Sequence, residues 1–209
     1  MKFLHKSFEH INEHLLFDDN FHQDHCNNPD DVFIRLWEVK DYSIILGRSN
    51  KQEIELNTEV VNRDNIPIIK RSSGGGAVLL GPGCLCYTIF LPISHHPKLS
   101  SITESNIYIM NQIRSALLPL NKDIALKGHT DLCINNLKFS GNAQRRKRHS
   151  ILFHGTVLYN FNLSLFSTYL AHPSKEPDYR NKRKHSNFVT NLGSTSDEII
   201  FNLKKNLIF

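Results

Sequence analysis

The chain has 209 residues, 40% of them hydrophobic and 22% charged, which excludes wholesale disorder and allows one domain with a proper core. Lys and Arg number 25 against 20 Asp and Glu, a formal net charge of +5; acidic partners are expected, of a kind that charge alone leaves open. The start, MKFLHKSFEHINEH, has no apolar stretch of the signal-peptide kind, and no run approaches the roughly 20 apolar residues that span a bilayer, so no membrane association is expected.

In chain order, SFEHINEHLLFDD carries Phe8, Ile11, Leu15 and Leu16 at helical spacing. A polar, Asn-rich loop, QDHCNNPDD, is expected next. Then come runs rich in Val, Ile, Tyr and Phe, broken by Gly, Asp, Asn or Pro: VFIRLWEV, YSIILG, IPIIKR, AVLL and CLCYTIFL. These read as strands. SSITESNIYIMNQIRSALLPL is the clearest helix, with Met110, Ile113 and Leu117 on one face, Ser and Thr at its start and Pro119 near its end. IALKG, DLCIN, LKFSG and ILFHGTVLYN are again strand-like, and Asn135-Asn136 makes a hairpin turn between two of them. A helix near LSLFSTYLA, a basic loop and a last helix in TSDEIIFNLKKNLIF follow, with Thr195 and Glu198 at capping-box spacing. No repeat or internal boundary is visible. Strands outnumber helices and come in runs, which predicts one α+β domain over residues 1–209, with a mixed, largely antiparallel sheet flanked by helices.

Cys26, Cys84, Cys86 and Cys133 form neither a CxxC pair nor a zinc pattern. Buried reduced thiols are expected, and they suit a reducing cytoplasm. His10 and His14 share a helix face without a third ligand, which argues against a metal site there.

Chemistry concentrates in IIKRSSGGGAVLLGPGCLCYTIFLP, residues 68–92. Three adjacent glycines cost conformational entropy. Bare backbone there gives access to positive φ and lets a ligand approach N–H groups, which form a concavity for a carboxylate or phosphate. Lys70, Arg71, Ser72 and Ser73 add charge and donors. The stretch is neither a Walker loop nor a dinucleotide fingerprint, since no GKS or GKT follows and AVLL reads as a strand. Composition alone leaves a flexible hairpin loop equally open.

A second stretch, LKFSGNAQRRKR at 137–148, places Lys138 on a strand before a small polar turn, SGNAQ, and four basic residues. ILFHGTVLYN then supplies His154. In this order LGRSNK, KRSSGGGAV, DLCINNLKFSGNAQRR, HGTVL and FVTNL resemble the lipoate–protein ligase A family, also called the biotin/lipoate ligase family, over about residues 30–193. The resemblance implies an α+β fold and attachment of lipoate or octanoate to one lysine of a lipoyl carrier domain. It further implies an acyl-adenylate, lipoyl-AMP, made from ATP with Mg2+ or supplied preformed. The implied carriers are lipoyl domains of 2-oxoacid dehydrogenase complexes or the glycine cleavage H protein. By position, Lys138 is implied to act on the acyl carbonyl and phosphate. Arg71, Ser73, Gly74, Gly75, Gly76, Ala77, Gly141, Asn142, Ala143, His154, Gly155 and Thr156 are implied to bind the acyl group and adenylate. Asp131 is the nearest candidate ligand for Mg2+.

Three departures bear on this expectation. Where many members of the family have His-Asp after GGGAV, Leu80 and Gly81 stand here. The chain ends at Phe209, soon after FVTNL, so the accessory domain of well-known bacterial ligases is not expected within it, and a separate accessory protein or another acyl donor comes into view. Related transferases use a cysteine nucleophile, and Cys133 shares a strand face with Asp131; a wall or core role is the plainer expectation. His154 is expected as a pocket-wall histidine, with deprotonation of the acceptor lysine as its other role. The basic runs RRKR (145–148) and RNKRK (180–184) suit steering of an acidic carrier. Nucleic-acid binding is not expected, since no aromatic interleaving or known motif accompanies them. Biotin in place of lipoate, and the acyl length, are left open.

Overall fold

The computed structural model describes residues 1–27 and 29–209. Its central sheet runs in the order β1 (Lys2–Leu4), β2 (Phe33–Trp37), β6 (Cys84–Pro92), β11 (Ser150–Leu158), β10 (Asn142–Arg146). A second sheet places β3 (Ser43–Leu46) between β4 (Ile68–Lys70) and β5 (Val78–Leu80). A third is the meander β7 (Ala125–Lys127), β8 (Asp131–Ile134), β9 (Leu137–Ser140). Among the strands of the described residues, β1–β2 and β3–β4 pair in parallel and the other pairs are antiparallel, so the expected mixed, largely antiparallel architecture is observed, divided among three sheets. The helices are α1 (Ile11–Asn27), α2 (Gln52–Glu55), α3 (Thr58–Arg63), α4 (Ile102–Leu117), α5 (Ser164–Tyr169) and α6 (Ser196–Asn206). None among the described residues is long and apolar enough to cross a membrane.

Strand β6 is buried along its whole length, and its alternation divides the interior in two. Leu85, Tyr87, Ile89 and Leu91 join one core with Met110 and Ile113 of α4 and Ile199 and Leu203 of α6. Cys84 and Cys86 join the other, with Ile44, Leu79, Phe161 and Phe166. The local signals act as the sequence leads one to expect. Thr195 and Glu198 form the capping box of α6, with Thr195 Oγ1 accepting from the Glu198 N–H at 3.3 Å and Glu198 Oε2 accepting from the Thr195 N–H at 2.8 Å. Asn135 and Asn136 turn the β8–β9 hairpin with φ of 51° and 61°, values that asparagine tolerates better than most residues.

Two segments differ from the sequence reading. Helix α1 continues through Gln23, Asp24, His25, Cys26 and Asn27, where the loop QDHCNNPDD was expected; Asn28, within that stretch, lies outside the described residues. Its buried face is largely polar, with His14, Asp18, His22, His25 and Cys26 inward and Leu16 61% exposed. Arg35 of β2 makes this burial tolerable. It donates through Nε to Asp18 Oδ1 at 2.9 Å, while Thr88 Oγ1 donates to Asp18 Oδ2 at 2.7 Å. The Arg35 Nη1 also lies 2.9 Å from His14 Nδ1. Buried polar groups persist when paired, and apolar periodicity cannot register such a face. The second difference is β10. NAQRR is a strand rather than the end of a turn followed by solvated bases, pairing from Asn142↔Gly155 to Arg146↔Ile151. It lies at a sheet edge, where charged residues are common.

Candidate active site

One cavity collects most of the predicted residues. Arg71, Gly75, Gly76, Ala77, Lys138, Gly141, Asn142, Ala143, His154, Gly155 and Thr156 line it. Ser73, Gly74 and Asp131 are not part of that lining but bond to residues that are. The apolar lining comes from Leu15, Trp37, Ile45, Val78, Leu80 and Cys86, together with Tyr87. None of these seven was singled out from the sequence for the site, because each reads as ordinary core of a helix or strand.

The glycine loop leaves β4 and re-enters at β5. Arg71 is folded beneath it and buried. Its Nη2 donates to the carbonyls of Gly74 at 2.7 Å and Gly76 at 2.8 Å. Its Nε donates to Ser73 Oγ at 3.0 Å, and its Nη1 to the Ile45 carbonyl at 3.3 Å. In a trans peptide the next N–H points opposite to the carbonyl. Arg71 therefore turns the N–H groups of Gly75 and Ala77 away from itself, and among the described residues neither has an intramolecular acceptor. Gly75 has φ of +94°, and a Cβ there would meet Arg71 Nη2 at 2.8 Å. A Cβ on Gly74 or Gly76 would meet only open space. The loop backbone is pinned from below by a buried cation, with the Gly75 and Ala77 amides facing away from it. Burial lowers the Arg71 pKa to about 10, which leaves it charged near neutrality.

The second half of the site is the β8–β9 hairpin. Lys138 Nζ lies 2.8 Å from Asp131 Oδ1, with the side chains 29% and 12% exposed. The β8–β9 register shifts between Leu132 and Cys133, so that β9 carries an extra residue opposite this point. Gly141 gives the lysine room, since a Cβ there would sit 2.7 Å from Lys138 Nζ. Asn142 serves the framework: its Nδ2 donates to the Thr130 carbonyl at 2.7 Å and to Ser140 Oγ at 3.1 Å, and its Oδ1 accepts from the Tyr87 hydroxyl.

His154 Nε2 and Ser73 Oγ are 2.7 Å apart. Ser73 Oγ also accepts from Arg71 Nε, so the hydroxyl links the buried guanidinium to the imidazole. Burial, aided by the Arg71 charge, pushes His154 down to about 3. It lines the cavity wall, and the lowered pKa favours the neutral imidazole. Cys133 is fully buried, and its Sγ donates to the Tyr179 hydroxyl at 3.4 Å; burial raises its pKa. Cys86 touches the cavity, but burial beside Cys84 raises its thiol pKa well above the ordinary value. Neither thiol has the lowered pKa of a nucleophile.

At the first departure, Leu80 contributes an apolar wall, and the space beside Gly81 is filled by the Tyr42 ring, 2.2 Å from where a Cβ would stand. The basic runs are less solvated than expected. Arg146 Nη2 donates to the carbonyls of Leu99 at 2.6 Å and Ser100 at 3.2 Å, and Arg145 pairs with Asp19 at 3.2 Å. Arg180 is buried, and it and Arg183 lie over the Phe188 ring at 4.5 and 5.2 Å. Arg146, Arg180 and Arg183 donate to backbone carbonyls that need donors.

A family model described as the lipoyl protein ligase A/B catalytic domain matches residues 10–202. The chain belongs to this family. Among curated relatives of the lipoyl ligase family, a lipoate-protein ligase A of Blochmanniella floridana is 31% identical over 172 residues, 80% of this chain and 48% of that protein. A probable lipoate-protein ligase A of Mycoplasma genitalium is 31% identical over 137 residues, 66% of this chain and 39% of that protein. The chain thus spans less than half the length of these relatives. Among solved structures, a bi-partite lipoate protein ligase of Thermoplasma acidophilum superposes with a TM-score of 0.83 at 19% identity, covering 98% of this chain and 80% of that one. A lipoate-protein ligase A bound with ATP gives a TM-score of 0.80 at 20% identity, covering 97% and 81%. At such identities these structures show a shared fold.

Proposed function

We propose that this chain is the catalytic body of a lipoate–protein ligase. It joins lipoate, through lipoyl-AMP, to a lysine of a lipoyl carrier domain. The observation that carries the reading is the convergence of Lys138 with the outward amides of Gly75 and Ala77 on one apolar-walled cavity. Such a cavity suits an acyl chain ending in a carboxylate. The relatives named as lipoate-protein ligases, and the like-folded one bound with ATP, support the same reading.

In the first step a carboxylate oxygen attacks the α-phosphorus of ATP and pyrophosphate leaves. Two anions must meet, and the loop amides and Lys138 lower that repulsion. In the second step the carrier amine attacks the acyl carbonyl and AMP leaves. Lys138 stabilises the charge that develops on the carbonyl oxygen. No protein nucleophile is required, in keeping with the raised pKa values of Cys86 and Cys133. Asp131, the candidate for Mg2+, is engaged on one oxygen by Lys138 and on the other by Tyr179. Among the described residues no three or more His, Cys, Asp or Glu side chains converge on a metal position. Mg2+ would be held chiefly by substrate phosphates, as is usual for that ion. The carriers that fit are acidic lipoyl domains, met in a reducing cytoplasm.

The test is mass spectrometry of an apo lipoyl domain incubated with this protein. One sample receives lipoate, ATP and Mg2+; the other receives preformed lipoyl-AMP. Modification in both marks a self-sufficient ligase. Modification only with lipoyl-AMP marks a transfer body whose activation needs a partner. No modification in either overturns the proposal.

A further inference from the structure

We infer that Tyr179 is a positioning residue for Lys138, acting through Asp131. This rests on the reading of Lys138 given above. Tyr179 lies 41 positions beyond the lysine, in a segment that no motif marks. Its hydroxyl donates to Asp131 Oδ2 at 2.7 Å, while Asp131 Oδ1 holds Lys138 Nζ at 2.8 Å. A carboxylate held on one oxygen alone can turn about its last torsion, which is broad. The second bond fixes its plane and aims Oδ1 at the ammonium.

The phenol is itself held in place. Its ring packs against Phe188 with centroids 5.3 Å apart. Arg183 Nη2 donates to the carbonyls of Tyr179 at 3.0 Å and Asn136 at 3.1 Å, which ties the segment to the β8–β9 turn. The same segment grips the backbone of Lys138: Lys138 N–H donates to the Phe188 carbonyl at 2.8 Å, and Thr190 N–H donates to the Lys138 carbonyl at 2.9 Å. One strap thus sets both ends of the lysine, its main chain directly and its ammonium through Asp131. Burial and the Asp131 charge keep the phenol protonated, so it remains a donor. The basic run 180–184 gains a role here, as the staple that seats Tyr179.

The test uses Tyr179→Phe, which keeps the ring and removes only the hydroxyl. In the ligand-free protein, acetylation of Lys138 by acetic anhydride is followed by peptide mass spectrometry, with exposed Lys51 as the internal reference. The loosened ammonium is expected to label about three- to tenfold faster than in the wild type, the size of change that losing one supporting side-chain hydrogen bond produces. Asp131→Asn is expected to label at least as fast. Tyr179→Phe in the Asp131→Asn background is expected to add nothing, the non-additivity of residues acting in one chain. Wild-type labelling in Tyr179→Phe, or additive effects in the double variant, overturns the inference. Lipoylation is measured alongside: kcat should fall about tenfold in Tyr179→Phe, with the KM for ATP little changed. If the wild type modifies no lipoyl domain with any donor, the ligase reading fails, while the labelling still decides whether Tyr179 orients the lysine.

Discussion

Arg71 and Lys138 line the same cavity and carry the same charge, yet they are used in opposite ways. Arg71 is buried, and its donors are spent on the carbonyls of Ile45, Gly74 and Gly76 and on Ser73. Lys138 keeps 29% of its side chain accessible and is tethered by one carboxylate. The first is a framework cation that orients the loop carbonyls; the second keeps an accessible ammonium. The difference follows from chemistry. A planar guanidinium with five fixed donors suits several carbonyls at once, whereas an ammonium on a flexible stem can follow a reacting group.

The largest expected effect breaks that division at Lys138. Lys138→Ala is expected to lower the lipoylation rate by about a thousandfold, in line with the loss of a preorganised charge-stabilising donor. Its melting temperature should stay close to that of the wild type, as thermal unfolding followed by circular dichroism will show. Arg71→Ala should fail differently. Its loop carbonyls lose charged donors, so stability should drop by roughly 2–3 kcal/mol along with activity. Urea unfolding measures this, and unchanged stability would mean that Arg71 is not a framework cation.

The same distinction sharpens within the run 145–148. Arg146 is spent on loop carbonyls, while Arg148 is exposed. Arg146→Glu should destabilise the fold by roughly 1–2 kcal/mol. Arg148→Glu should leave the fold intact and slow carrier modification a few-fold at low salt, an effect lost as salt rises. Equal stability of the two variants would remove the distinction.

A pH titration extends the comparison to α1, whose Leu15 lines the cavity. Burial lowers His14 and His22 from 6.5 to about 4. The folded state therefore favours the neutral imidazoles, and the unfolded chain binds protons first as pH falls. Their contribution is fully present above about pH 6.5 and is lost between 6.5 and 4. His14→Gln and His22→Gln should flatten that part of the stability–pH curve. The smallest effect is expected at Cys133. Cys133→Ser keeps a donor toward Tyr179 and should change the lipoylation rate less than about twofold, because side-chain donors of this kind contribute little net energy. Complete loss would point to a thioester route.

Much of the site was legible because its motifs are short. Arg71 through Ala77 and Lys138 through Ala143 each announce bare backbone beside a cation within a few residues. The cavity walls were not legible: Trp37, Cys86 and Tyr87 carry no pattern that separates a pocket wall from a core. Nor was Tyr179, whose partner Asp131 lies 48 positions away.

Taken alone, the sequence determined what depends on near neighbours. The Asn135-Asn136 turn, the Thr195 cap and the apolar face of α4 are all settled by interactions within a few positions. Tertiary structure alone decided which polar groups go inside. The His and Asp face of α1 is buried because Arg35 and Thr88, 17 and 70 positions from Asp18, arrive to satisfy it. NAQRR becomes a strand because β11 offers an edge. Arg71 becomes buried framework and Lys138 a partly exposed, singly paired ammonium because the folded chain brings the Ile45 carbonyl and the His154 wall to one and the Asp131 carboxylate to the other. Burying a polar group is costly until its partner is present, and those partners are brought by the fold.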